Sequence, residues 1–227
     1  MNFDLSCAQL QGGRENQEDR YAAHWVGNGD LILLVCDGLG GHAHGDLAAQ
    51  EAIATASRVL RAGLTRGEPG VANLLRQAFV EGHQAVCGIE RSPYERPPAT
   101  TMVAAILSAD REELHLANAG DSISLIARGN EIRGIAEWQQ DITYVLGVSL
   151  GSDNGGGVEI VSPQPLQVGD RILLASDGLE GFDRQLILEC LARDTARQSC
   201  EALVRLALAT STDSSDNITI VVVTVGR

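Results

Sequence analysis

Long apolar runs are missing from this sequence of 227 residues. No stretch approaches the roughly 20 apolar residues that a membrane-spanning helix needs, so we expect no membrane span. The segment from Met1 to Leu10 also lacks the basic start and the apolar run of a secretory signal. These absences predict a cytoplasmic protein that does not work at a membrane.

Paired cysteines are missing as well. The five cysteines form no Cys-x-x-Cys pair and are odd in number. They are Cys7, Cys36, Cys87, Cys190 and Cys200. Disulfide frameworks and structural zinc sites need closely spaced or even-numbered cysteines. We therefore expect free thiols in a reducing compartment.

Positive charge is scarce, since 17 basic residues face 30 acidic ones and leave a formal charge of −13. Such a surface repels phosphate backbones and anionic lipids, which makes nucleic acid an improbable partner. The hydrophobic fraction of 44% is sufficient for one sizeable core. We predict a single domain over residues 1–227 and expect a monomer.

Three apolar runs each have an aspartate at one end, and this pattern predicts buried strands that deliver carboxylates into turns. The runs are 31–36, 172–176 and 218–225, and the aspartates beside them are Asp37, Asp177 and Asp216. A single Asp-Gly is usually only a turn. Three such strand ends are harder to explain as turns alone.

The rest of the chain shows two other periodicities. Helical spacing predicts one pair of helices over 47–60, before Gly63, and 71–79, and a second pair over 186–191 and 200–208. Short runs at 102–107, 114–118 and 123–127 predict an antiparallel meander. The sum is an α+β fold in which helices cover antiparallel sheets, with a mobile glycine-rich loop at 149–157.

Carboxylates that converge at buried strand ends repel one another unless cations neutralise them. The candidate acids are Glu18, Asp19, Asp37, Asp121, Asp177 and Asp216. Oxygen ligands without a histidine or cysteine cluster suit Mg²⁺ or Mn²⁺. Two such ions about 3.5 to 4 Å apart share a bridging water and turn it into a hydroxide nucleophile. Hydrolysis of a phosphate ester is the natural use.

Five motifs carry a specific resemblance. They are Gly13-Arg14-Glu15-Asn16-Gln17-Glu18-Asp19, Asp37-Gly38-Leu39-Gly40-Gly41-His42, Asn118-Ala119-Gly120-Asp121-Ser122, Ser176-Asp177-Gly178-Leu179 and Asp216-Asn217-Ile218-Thr219. In this order they resemble the bacterial type 2C metal-dependent protein phosphatases, the PPM family, from about Asp4 to Val225. The resemblance implies a four-layer αββα sandwich. It also implies a metal-dependent serine/threonine phosphatase that acts on phosphorylated proteins and opposes a serine/threonine kinase.

The resemblance further implies a role for each site residue. Asp37 bridges two divalent cations, Mn²⁺ or Mg²⁺. The carbonyl of Gly38 and the carboxylate of Glu18 bind one of them, and Asp177 and Asp216 bind the other. Asp19 holds a metal-bound water, Arg14 binds phosphate, His42 is the general acid, and Asp121 helps to bind a weaker third cation.

Some positions depart from the family pattern. Only a short stretch separates Glu131 from Leu146-Gly147, where the family usually places a flap of several tens of residues. We therefore expect a reduced or absent flap. Ile123 stands where arginine is common, and Ala99 stands where glycine is common. Neither change removes a predicted metal ligand.

Three functional hypotheses follow. The first is an active phosphoprotein phosphatase in signalling, supported by the retention of Arg14, His42 and every predicted metal carboxylate. The second is a non-catalytic module that binds phosphoproteins, which the loss of a metal aspartate would favour. The third is a phosphatase of one small phosphoserine switch protein, although relatives of that kind commonly lack the arginine and the histidine.

Overall fold

The computed structural model describes residues 1–27, 29–39, 44–67, 70–134, 149–152, 158–213 and 215–227. Several sequence predictions lie outside these residues. They are the role of His42, the Leu146-Gly147 end of the short flap, and the glycines at 155–157. In the described ranges, no helix is long and apolar enough to cross a membrane.

Two antiparallel sheets form in the described part of the chain, each with five strands. The first has the strand order β1 (Asn2–Leu10), β10 (Ile218–Gly226), β9 (Arg171–Ala175), β6 (Ile123–Arg128) and β7 (Glu131–Gly134). The second has the order β2 (Arg20–Trp25), β3 (Leu31–Cys36), β4 (Met102–Ser108), β5 (Glu113–Ala119) and β8 (Glu159–Pro165).

Two pairs of helices cover the outer faces of these sheets. Helices α1 (Gly45–Arg66) and α2 (Val71–Cys87) pack against the second sheet. Helix α4 (Ala196–Thr210) packs on β1 and β10 of the first sheet, and α3 (Arg184–Leu191) lies against α4. A complete capping box begins α4, because Thr195 and Gln198 each bond the backbone of the other.

Three apolar clusters separate the four layers, and the central strands show why. Strand β3 is fully buried, and its successive side chains point to opposite faces. Leu33 and Val35 therefore join the cluster between the sheets, while Ile32 and Leu34 join the cluster under α1 and α2. A strand that is buried on both faces reads as a continuous apolar run, as this one does.

The predicted α+β class and the four-layer arrangement are confirmed. The predicted meander is wrong in one respect. Strands β4 and β5 pair in the second sheet, but β6 pairs with β7 and β9 in the first sheet. The chain thus changes sheets at the turn that contains Asp121, because tertiary packing decides which strands become neighbours.

Two local predictions also need correction. Helix α1 does not stop before Gly63 but continues to Arg66, with Gly67 in the left-handed region at its end. Gly63 lies against α2, where a Cβ atom would come within 2.3 Å of Leu74 Cδ1. At the start of the expected mobile loop, Leu150 is fully buried and forms a β-bridge with Thr100.

Candidate active site

Strand register brings the predicted acids to one end of the two sheets. In the second sheet, Arg20 lies opposite Cys36, so Asp19 enters β2 beside the point where Asp37 leaves β3. In the first sheet, the amide of Ser176 donates to the carbonyl of Thr219 at 3.2 Å. This bond places Asp177, after β9, close to the segment that precedes β10.

Four aspartates consequently act on one another electrostatically. The charges of Asp19, Asp177 and Asp216 all influence Asp37, and Asp37 shares a hydrogen bond with Asp177. Asp121 influences Asp177 from its turn between β5 and β6. The structure thus brings together aspartates that are as much as 197 positions apart in the chain, from Asp19 to Asp216.

Asp19 is fully buried and lies between the two sheets. Its Oδ2 atom accepts hydrogen bonds from the hydroxyls of Ser176, at 2.7 Å, and of Thr219, at 2.8 Å. Gln9 extends this network, because its side-chain amide donates to the hydroxyl of Thr219 at 3.0 Å. The other oxygen of Asp19, Oδ1, is buried and lies within hydrogen-bond geometry of no partner in the described part of the chain. A buried oxygen of that kind is satisfied by a cation or by ordered water.

The two residues that precede β4 form hydrogen bonds with the backbone of Asp37. Its carbonyl accepts from the amide of Thr101, at 2.9 Å, and from the hydroxyl of Thr100, at 2.8 Å. The hydroxyl of Thr101 accepts from the Asp37 amide at 3.0 Å. At Gly38 a Cβ atom would lie 2.3 Å from the carbonyl oxygen of Gly45, so only glycine lets the start of α1 approach this closely.

Arg14 and Glu18 belong to a loop that Asn217 holds in place. The amide group of Asn217 donates to the carbonyls of Gln11, at 2.8 Å, and Asn16, at 3.0 Å, and its Oδ1 atom accepts from the amide of Glu18 at 2.8 Å. The Arg14 guanidinium forms an ion pair with Asp216 at 2.5 Å. Asn217 was not among the predicted site residues, although it directly follows Asp216 in the last of the five motifs.

The turn that carries Asp121 is tied to the Asp37 loop. The hydroxyls of Thr101 and Ser122 are 2.7 Å apart and buried. Asp121 itself is exposed. This link was not predictable from the sequence, because a hydroxyl pair between a turn and the residue before a strand leaves no periodic signal.

A sequence profile of the Protein phosphatase 2C family matches residues 9–214. The chain belongs to the protein phosphatase 2C family. The matched segment includes every predicted acid in this site except Asp216, which lies two residues beyond it.

Individual members of the family are similar over most of the chain. The serine/threonine protein phosphatase PstP of Mycobacterium tuberculosis (strain H37Rv) is 30% identical over 233 residues, which cover 92% of this chain and 42% of PstP. The chain therefore spans less than half the length of that relative. The serine/threonine phosphatase stp of Listeria welshimeri is 27% identical over 234 residues, which cover 92% of this chain and 90% of stp.

A solved structure shares the fold. It is the crystal structure of the catalytic domain of PstP in complex with two manganese ions, which is 28% identical to this chain. The superposition covers 100% of both chains with a TM-score of 0.76. The four-layer architecture of this protein phosphatase 2C chain is thus that of the family.

The electrostatics of the site fit divalent cations. Burial, followed by the charges of Asp19 and Asp177, raises the pKa of Asp37 to about 9. Burial likewise raises the pKa of Asp19, of Asp177 and of Glu18. The charge of Asp46 raises the pKa of Glu18 further. Clustered carboxyl groups hold protons in this way when no positive charge compensates them. Their oxygen atoms are the ligands that Mg²⁺ and Mn²⁺ favour.

Within the described ranges, no group of three acidic, histidine or cysteine side chains is already in position to hold a metal ion. Two of the oxygens are engaged elsewhere, since Asp19 Oδ2 accepts from hydroxyls and Asp216 Oδ2 accepts from Arg14. The assignment of individual ligands therefore stays a prediction.

We predict that Asn217→Ala loosens the loop that carries Arg14 and Glu18. The change removes three hydrogen bonds from a residue that is 4% exposed and should lower the free energy of unfolding by about 1 to 3 kcal/mol. Urea denaturation and amide exchange at Glu18 measure the two effects. Asn73→Ala is the control, because Asn73 is exposed and its side chain accepts a hydrogen bond from Arg76 in the same helix. Equal stability of both variants would contradict the role given to Asn217.

A second prediction concerns pH. Since the pKa of Asp37 is about 9 in the folded protein and 3.8 as its ordinary value, the folded, metal-free protein retains a proton that the unfolded chain releases. Its stability should therefore fall as the pH rises from about 4 to about 9. Thermal unfolding in chelator, at about pH 5 and about pH 8, measures this decline. Asp37→Asn should reduce the decline, and an equally steep decline in that variant would show that Asp37 is not its source.

Proposed function

We propose that this chain is a metal-dependent protein phosphatase that hydrolyses phosphoserine and phosphothreonine in other proteins. The observation that carries the proposal is the gathering of Asp19, Asp37, Asp177 and Asp216 at one end of the two sheets, with a buried Asp19 oxygen that has no hydrogen-bond partner among the described residues and an arginine at the edge. A carboxylate cluster alone repels phosphate, so the cluster needs cations before it can serve a phosphate ester. Membership of the protein phosphatase 2C family supports the same chemistry.

The proposed site holds two divalent cations, Mn²⁺ or Mg²⁺, and a weaker third. Asp37 would help to hold both cations, because the charges of the three other aspartates all act on it. Glu18 and the carbonyl of Gly38 are assigned to one cation, and Asp177 and Asp216 to the other. When bound, the cations activate a water molecule for attack on phosphorus and neutralise the charge that develops on the phosphate. The crystal structure of the PstP catalytic domain, which contains two manganese ions, supports this number.

The ligands differ in how firmly the protein holds them. Asp19 is fixed by two hydroxyls, so we expect its position to change little when a cation binds. Asp216 is 41% exposed and paired with Arg14, so its carboxylate can turn from the guanidinium to a cation. We propose Asp121 for the third cation because it lies near Asp177 and is exposed.

Arg14 is proposed to bind the phosphate of the substrate. Its guanidinium is 51% exposed and lies at the rim of the carboxylate cluster, where Asp216, Glu18 and Asp177 all act on it. A planar guanidinium can donate to two phosphate oxygens at once, and its fixed charge offsets the acidic surroundings. We further propose His42 as the general acid that protonates the leaving serine or threonine oxygen.

The relatives support the proposed substrate class. PstP and stp are both named serine/threonine phosphatases, and we propose that this chain likewise opposes a serine/threonine kinase in the cytoplasm. The proposal treats residues 1–227 as one catalytic domain. The rival hypothesis, a module that binds phosphoproteins without hydrolysing them, makes a different prediction for the same assay.

The decisive assay measures phosphate release from a phosphothreonine peptide and from para-nitrophenyl phosphate with Mn²⁺, with Mg²⁺ and with chelator. We expect release that depends on metal. Asp177→Asn should reduce turnover by at least about a hundredfold, since it removes a proposed metal ligand. Asp194→Asn is the matched control, because Asp194 is exposed and lies before α4, away from the cluster. No release despite bound Mn²⁺ would favour the binding module.

Arg14→Ala tests the phosphate-binding role separately. If the guanidinium binds phosphate in the ground state, KM for para-nitrophenyl phosphate should rise about 10-fold or more, with a smaller change in kcat. Steady-state kinetics with saturating Mn²⁺ measures both constants. Arg205→Ala, an exposed position on α4, should match the wild type. An unchanged KM with a collapsed kcat would argue against ground-state phosphate binding.

A further inference from the structure

His83 is a histidine on α2 for which the proposed mechanism has no use. Its Nδ1 atom accepts a hydrogen bond from the backbone amide of Gly151 at 3.1 Å. Its other ring nitrogen, Nε2, is 3.4 Å from the sulfur of Cys87, one helical turn further along α2. The ring thus lies between an exposed thiol and a backbone amide that is distant in sequence.

The bond to Gly151 determines which tautomer the neutral ring adopts. An Nδ1 atom that accepts a hydrogen bond carries no proton, so in the neutral ring the proton is on Nε2 and points toward Cys87. His83 is therefore an acceptor for a buried amide of the main chain. A buried amide that loses its acceptor costs about 1 to 3 kcal/mol, so this bond stabilises the local conformation.

The peptide at Gly151 has little freedom to find another partner. Gly151 has a φ of +88°, and a Cβ atom there would come within 2.2 Å of the Pro98 carbonyl oxygen and 2.5 Å of Val86 Cγ1. Its neighbour Leu150 is fully buried in the cluster under α1 and α2. The segment is thus pressed between α2 and the chain that enters β4.

From Gly151 the contacts lead directly to the Asp37 loop. Leu150 exchanges two backbone hydrogen bonds with Thr100, at 2.9 and 3.1 Å. Thr100 in turn forms a β-bridge with Gly38, and its hydroxyl donates to the carbonyl of Asp37 at 2.8 Å. Every step from His83 to Asp37 is a hydrogen bond or one covalent neighbour.

We propose that His83 is a positioning residue for Asp37. By accepting from the amide of Gly151, it holds Leu150 against Thr100, and Thr100 holds the Asp37-Gly38 peptide from behind. The catalytic consequence rests on the proposed function, whereas the positioning of the loop does not. His83 contacts no substrate or cation in this proposal, and its effect passes through the backbone alone.

The test uses two substitutions that differ by one methylene. Asn places its side-chain carbonyl near the position of Nδ1, so His83→Asn keeps an acceptor for Gly151. Gln places its carbonyl near Nε2, so His83→Gln loses that acceptor but remains polar. His83→Leu is a second variant without an acceptor, and Cys87→Ala removes the group on the other side of the ring.

Amide exchange by NMR on the metal-free protein is the first measurement. In His83→Gln and His83→Leu, exchange should accelerate about tenfold at Gly151, Leu150 and Thr101, and stay unchanged at Val222 in the other sheet. His83→Asn and Cys87→Ala should resemble the wild type. Acceleration confined to Gly151 would overturn the proposal, because the bond would then not support the Asp37 loop.

Mn²⁺ binding by calorimetry is the second measurement, and it needs no activity. The dissociation constant should rise about fivefold in His83→Gln and stay within about twofold of the wild type in His83→Asn. If His83→Gln and His83→Asn both bind Mn²⁺ as tightly as the wild type, His83 has only a structural role, even where the melting temperature falls. If the wild type hydrolyses no phosphate ester, the proposed function fails, but exchange and binding still decide the role of His83.

Discussion

Repulsion between carboxylates is the constraint on which this site depends. Asp37 lies among Asp19, Asp177 and Asp216, and its pKa of about 9 shows how strongly a second negative charge is resisted there. Side chains that repel one another do not stay together unless a rigid frame holds their backbones. The four layers supply that frame, because Asp37, Asp177 and Asp216 each lie within two residues of β3, β9 or β10, strands whose side chains are buried in two apolar clusters.

A small set of uncharged polar residues connects the strands of this frame to the site. Ser176 and Thr219 bond one oxygen of Asp19, Thr100 and Thr101 bond the backbone of Asp37, and Asn217 bonds the loop with Glu18. None of these residues changes the net charge of the cluster. They orient the acids by hydrogen bonds and leave the negative charge of the cluster for cations to balance. Residues around a metal site commonly orient its ligands in this way.

The sequence predicted the parts of this arrangement that leave a local signal. Buried strands read as apolar runs, and an aspartate at the end of such a run is visible without a structure, as at Asp37 and Asp177. The change of sheet before β6 was not predictable, because strand spacing does not specify partners. Leu150 was missed since its glycine-rich surroundings resemble a loop, and the bonds of Asn217 and His83 join positions that no periodicity connects.

The burial of the acids also bears on how such a site could be lost. Asp19 is fully buried and links strands of both sheets, whereas the side chain of Asp216 is 41% exposed and pairs with the surface residue Arg14. A descendant that no longer needed catalysis could replace Asp216 at little structural cost. It would keep Asp19 for much longer, because removing that carboxylate leaves two buried hydroxyls without their acceptor. The acids of this cluster would therefore disappear from the outside inward, and Asp19 would be the last to remain.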